Sequence, residues 1–202
     1  MKEKQGFGDY AVASLNANVN DNETIGIEGH YHVECRDKDG NLKWEESFPN
    51  LVNAVGKQLL FNTLLRTSST YTTVGPYLGL ISGASPTFDV EDTMSSHAGW
   101  TEFTNYTVGG SAVRGTASFT AATDNAVASP ANIVSCAAAA ITYTITGGGG
   151  TVGGCFLVTG SGASSAQSNT SGTLYSAGAF ATAKVTTAGD TVSVTYSTTA
   201  TS

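Results

Sequence analysis

From Ile25 to Asp37 the chain reads IGIEGHYHVECRD, and its apolar positions fall two apart. Ile25, Ile27, Tyr31, Val33 and Cys35 share one face, and Glu28, His30, His32 and Glu34 share the other, which predicts a half-buried β-strand. DKDGN then places Asp39-Gly40 at a tight turn. NLKWEESF returns as the partner strand, with Leu42, Trp44, Glu46 and Phe48 on one face. After Pro49 the period changes. Leu51, Val55, Leu59, Leu60 and Leu64 recur at helical spacing, so a helix is expected over 50–66, capped by Asn50 and closed by Arg66 at the negative end of its dipole. Gly56 inside it costs about 1 kcal/mol relative to Ala, which points to close backbone packing against a sheet.

From YTTVGPYLGLISG onward the chain breaks into short apolar-alternating runs separated by Gly, Pro, Ser and Asn. Strands are expected at 77–82, 100–107, 111–120, 139–146, 153–159, 179–186 and 191–197. Many short strands with this spacing predict a mainly β protein, a β-sandwich or jelly-roll-like domain with a single helix in its N-terminal half. Residues 1–24, which end in NVNDNET and show no sustained period, read as an extended N-terminal arm. Residues 25–202 then form one β-rich domain: hairpin 25–48, helix 50–66 and sandwich 71–197.

Composition narrows the function. Charged residues are 12% of the chain, about half the usual share, so the surface must be solvated by Ser, Thr, Asn and backbone or covered by a partner. The net charge is −7, and the nine Lys and Arg are scattered, without the basic stripe a nucleic-acid partner requires. The opening MKEKQGFGDY lacks the apolar core of a secretory signal, and no run reaches the roughly 18 apolar residues of a membrane span. No nucleic-acid or membrane partner is expected, and synthesis in a cytoplasm is. Cys35, Cys136 and Cys155 are odd in number and lack metal-site spacing, so they are expected as free thiols acting as small hydrophobes.

Several motifs invite chemistry. DTMSSHAGWTEFTNY, residues 92–106, puts Ser95, Ser96, His97 and Glu102 beside Trp100. A catalytic triad needs its Ser on a strained elbow such as G-x-S-x-G, which the chain lacks, and adjacent residues on extended backbone point to opposite faces. His30 and His32 share a strand face with two glutamates, a pattern that suits a divalent ion but more often a solvated face. Asp89, Glu91 and Asp92 lack the calcium-loop pattern. GGGTVG at 148–153 matches G-x-G-x-x-G in letters, yet it leads into a strand instead of the helix that would hold a pyrophosphate. Tyr71, Tyr77, Trp100, Phe103 and Tyr106 could line a sugar-binding face, although spaced aromatics in a β-rich chain are more often core. No cofactor or metal is expected, and no catalytic residue is assigned.

VECRDKDGNLKWEESFPNLVNAVGKQLL, PYLGLISG, DTMSSHAGWTEF and SGTLYSAGAF together resemble a family of virion structural proteins from tailed bacteriophages. The likeness runs from about Val33 to Ser197 and leaves the first 24 residues unmatched. It implies a head decoration, or cement, protein: not an enzyme, made in the host cytoplasm, seated on the outer surface of the capsid, with the major capsid protein as partner and a trimer as the favoured assembly. A tail or head-fibre module that binds host-surface glycan is the alternative. On this reading residues 92–106 are scaffolding. Asp92 and Thr93 shape a turn, Ser96 and His97 satisfy buried backbone, Gly99 supplies a permissive backbone angle, and Trp100 and Phe103 anchor the core, with Trp44 a further interaction candidate.

Overall fold

The computed structural model describes residues 26–66, 74–124 and 134–201. Its elements are β1 (Gly26–Arg36), β2 (Leu42–Pro49), β3 (Leu51–Val52), α1 (Ala54–Leu65), β4 (Tyr77–Ser82), β5 (Thr101–Phe103), β6 (Tyr106–Thr107), β7 (Gly115–Thr116), β8 (Thr123–Asp124), β9 (Val134–Ala137), β10 (Ile141–Ile145), β11 (Gly150–Thr159), β12 (Thr173–Thr186) and β13 (Thr191–Thr201). They build two antiparallel sheets. The first runs β2-β1-β13-β10-β6, with β9 also on β13 and β8 on β9; the second runs β3-β12-β11-β4-β5, with β7 also on β4. The expected β-sandwich with one helix is therefore present. The arm proposed for residues 1–24 lies outside the described residues, as do Ile25 and Tyr71.

Alternation along the strands decides what each face meets. Tyr31, Val33, Cys35, Tyr143, Val192, Val194 and Tyr196 of the first sheet are fully buried against Leu78, Leu80, Val152, Cys155 and Leu157 of the second. Buried tyrosines need hydroxyl partners. Tyr143 donates to the Leu78 carbonyl at 2.9 Å, across the sandwich, and the Tyr31 hydroxyl lies 3.0 Å from Ser176 Oγ. The outer face of the first sheet is polar, with His30 and His32 exposed and His32 Nδ1 2.8 Å from Ser47 Oγ. The second sheet differs. Its outward residues Ile81, Phe156, Val158, Leu174 and Ala177 are also buried, under Met94, Trp100 and Ala163 from long connections.

Five expectations need correction, the first being the single strand at 100–107, which is divided between β5 of one sheet and β6 of the other. The helix begins at Ala54, because Leu51 and Val52 pair with β12 as a strand. Asn50 does not cap it: its N–H donates to the Gly29 carbonyl and its Nδ2 to the Tyr196 hydroxyl. Asn53 holds the cap position without a side-chain cap bond, since its Nδ2 is drawn to the Asp89 carbonyl. Leu42 is 49% exposed and does not share the inner face with Phe48, because the hairpin register shifts at Cys35/Arg36. The run 111–120 pairs only at Gly115–Thr116 and in isolated bridges, not as a continuous strand. Gly56 does approach the sheet closely, since a Cβ there would lie 2.6 Å from the Tyr175 carbonyl oxygen. The turn at Gly147, Gly148 and Gly149 uses positive φ at all three and runs into β11, so no helix follows these glycines.

Charge is scarce in the C-terminal half, and Asp190 and Lys184 there are both paired. Asp190, 2% exposed, accepts from Lys43 Nζ at 2.5 Å and from the Thr187 N–H at 2.8 Å. Lys184 pairs with Glu46 at 2.7 Å. Burial pushes the Asp190 carboxyl up, but the bonds from Lys43 and Thr187 outweigh it and hold the group below its usual value. The Glu46 carboxyl is likewise held low, with Lys184 and the Ala181 N–H outweighing burial. A carboxyl whose folded pKa is depressed contributes stability that is full above the unfolded value of about 4 and is lost as pH falls through the folded value. Chemical denaturation as a function of pH should therefore show stability falling below about pH 4. Asp190→Asn should flatten that decline and cost about 1–3 kcal/mol at pH 7.

Candidate functional site

The excursion between β4 and β5 carries the densest chemistry in the sequence, and its local bonds explain its shape. The Asp92 N–H donates to the Asp89 carbonyl at 3.0 Å, while Asp92 Oδ2 accepts from the Asp89 N–H at 3.1 Å, closing a turn. Thr93 and Ser96 then exchange backbone bonds of 2.9 and 3.2 Å. This tight pairing turns Met94 inward, where it is 2% exposed, and leaves Ser95 and Ser96 outside. The Ser95 hydroxyl is 3.2 Å from Thr93 Oγ1.

His97 lies flat on Trp100, with ring centres 3.8 Å apart and an interplanar angle of 18°. Its Nδ1 is 3.0 Å from the Trp100 carbonyl oxygen, and a carbonyl only accepts, so Nδ1 carries the proton. His97 thus satisfies half-buried backbone, as expected, whereas Ser96 serves through its backbone alone. Trp100 is 4% exposed and packs on Phe156 at 5.1 Å between ring centres. Phe103 is equally buried but points into the inter-sheet core.

Gly99 requires a different explanation from the one its sequence suggested. Its φ is not positive; the constraint is contact. A Cβ there would lie 2.2 Å from the Thr87 carbonyl oxygen, and the Thr87 N–H donates to the Gly99 carbonyl at 3.1 Å. The two ends of the excursion are thereby sewn together. Trp44 does not join this corner. It sits on β2, at the other side of the sandwich, against Phe180 at 5.4 Å with the Lys184 ammonium 6.0 Å from its ring.

The centre of the site is an ion pair that the sequence reading missed. Arg114 is 1% exposed, and its Nε and Nη2 reach the two oxygens of Glu102 at 2.9 and 2.7 Å. The same guanidinium donates to the carbonyls of Ser164 and Asn169, and lies 5.1 Å from the Phe156 ring centre. Glu102 also accepts from the Ser168 N–H at 2.7 Å, which Ser168 presents from a left-handed backbone with φ of 59°. One buried pair therefore binds β5, the 111–114 stretch and the loop between β11 and β12. A signal did exist: after Arg114 only Asp124, Lys184 and Asp190 carry charge, and an ionised side chain in so charge-poor a region must find a partner if it is buried.

This geometry decides what the corner can do. Both Glu102 oxygens are taken by Arg114 and Ser168, so Glu102 orients no histidine. The Nδ1 proton of His97 is committed to backbone, and the Ser96 side chain is exposed. A cleft of about 210 Å³ opens beside Met94, His97, Glu102 and Ser168, shaped by groups that already hold one another. Among the described residues no three His, Cys, Asp or Glu side chains converge as metal ligands. Trp100, Phe103 and Tyr106 are buried and Tyr77 is half-buried, so these rings offer no open stacking face. Comparison with known protein families, curated proteins and solved structures gives no match to this chain.

Removing the guanidinium strands the Glu102 carboxylate and two carbonyls. Arg114→Met should lower stability by about 3–5 kcal/mol, read as a reduced midpoint in denaturant at unchanged slope. In the same assay Gly99→Ala should cost about 1–3 kcal/mol through overpacking on Thr87, whereas Ser96→Ala should stay within about 0.5 kcal/mol of the parent.

Proposed function

We propose that the protein is a capsid decoration, or cement, protein of a tailed bacteriophage, acting on the outer surface of the head by bridging major capsid protein subunits. The sequence resemblance supports this reading, and so does one observation on the fold: helix α1 ends in an apolar stripe that no described residue covers. Phe61 is 54% exposed and Leu65 is 74% exposed, one turn apart on the same side of the helix. On a surface as poor in charge as this, exposed large apolar side chains on a rigid element mark a place for a protein partner.

The mechanism is mechanical. A protein seated across the joint between two coat subunits buries surface on both, and opening the joint then also costs that interface. A specific contact of this kind buries about 1,200 Å² or more. Repetition over the lattice, and assembly as a trimer, adds avidity. The fully partnered Glu102–Arg114 pair fits such a role, because a cement protein needs rigidity where an enzyme needs free reactive groups.

Purified protein mixed with expanded heads lacking it should co-sediment saturably, at a copy number set by the lattice, and should raise the melting temperature of the heads. Phe61→Asp with Leu65→Asp should weaken that binding by about tenfold or more, while the free protein keeps its own melting temperature. Absence of co-sedimentation by the parent protein would sink the reading.

A further inference from the structure

A second apolar surface adjoins the helix, and it is concave. Leu60 and Leu64 of α1, Ile27 of β1, Val134 and Cys136 of β9 and Tyr175 of β12 line a groove of about 390 Å³. None of its lining residues is charged, and Leu64 is 71% exposed. A groove of this composition on a chain that is otherwise Ser- and Thr-surfaced calls for an apolar occupant.

The path of the chain points to one. Residues 1–25 lead directly into β1, whose second residue, Ile27, is part of the groove wall beside its partner Ala200. Within them FGDYAVASL, residues 7–15, supplies Phe7, Tyr10, Val12 and Leu15 with a single charge, Asp9. Between this run and β1 stands NANVNDNET, residues 16–24, rich in the Asn and Asp that make turns. Nine such residues span up to about 30 Å, enough to double back over the rim from which the chain emerges. The two internal stretches outside the described residues are poorer in large apolar side chains: 67–73 reads TSSTYTT and 125–133 reads NAVASPANI.

We propose that the groove is the seat of residues 7–15 of the same chain, which strap α1 to β9 and β12. Apolar side chains would fill the hollow, the Asn-rich spacer would make the return, and the charged Lys2, Glu3 and Lys4 would lie beyond the groove. This inference is independent of the cement reading, because the strap uses Leu60 and Leu64 and leaves Phe61 and Leu65 outside.

The groove contains its own reporter. Of the three cysteines, Cys35 and Cys155 are fully buried, while Cys136 is half-buried in the groove wall. In the full chain carrying Val12→Cys or Leu15→Cys, mild oxidation of dilute protein should form an intramolecular disulfide to Cys136, identified by peptide mapping, and Lys4→Cys should form it much more slowly. In a second measurement, with no cysteine added, Val12→Asp with Leu15→Asp should speed labelling of Cys136 by a thiol reagent about tenfold over the parent chain. Bridges that form only between two chains, or protection of Cys136 that rises with protein concentration, would assign the groove to a second copy and overturn the proposal. Equal labelling of parent and variant would overturn it as well.

Discussion

The second sheet of this sandwich is apolar on both faces, and that constraint governs most of what surrounds it. Leu78, Leu80, Val152 and Leu157 turn inward to the first sheet, while Ile81, Phe156, Val158 and Leu174 turn outward. An uncovered outer face would expose several large side chains, each of which gains roughly 1.5–3 kcal/mol on burial. The chain covers it with connections in place of a third layer of regular structure. Met94 and Trp100 come from the excursion before β5, Ala163 from the loop before β12, and the start of α1 is tied to the same excursion through Asn53 and Asp89.

Irregular connections can serve as a packing layer only if they are held in place. That is the work of the Glu102–Arg114 pair, whose hydrogen bonds reach three separate segments, and of the contact between Gly99 and Thr87. Desolvating a guanidinium and a carboxylate is costly, and such a pair is retained where its geometry is fully satisfied. Here both carboxylate oxygens and all three guanidinium nitrogens have partners. Glu102 and His97, which look reactive in the sequence, are thereby tied up in making a rigid cover.

The same economy of charge recurs elsewhere. Asp190 with Lys43 and Lys184 with Glu46 tie late strands to β2 and its flank, so each ion pair links segments far apart in sequence. Outside these staples the first sheet shows water a face of Thr, Ser and His, and the helix carries leucines and a phenylalanine that no described residue covers. The contrast between those two surfaces carries the functional reading.

Period-2 alternation made β1, β2, β10 and β13 legible in the sequence, because neighbouring side chains on a strand must face opposite ways whatever lies across the sheet. The helix, its close approach at Gly56, the turn-forming role of the Asp92 side chain, and the core positions of Trp100 and Phe103 were legible for similarly local reasons, whereas Thr93 serves through its backbone. Tertiary structure decided the rest. The helix lost its first turn because β12 offered Leu51 and Val52 a strand partner, and Gly99 was fixed by Thr87, twelve residues away, instead of by its own backbone angle. Arg114 and Glu102 could be named as charges in a charge-poor chain, but only the meeting of β5 with two distant loops made them a pair. Local geometry is encoded by spacing along the chain; which buried groups satisfy one another is settled only when remote segments are brought within hydrogen-bond reach.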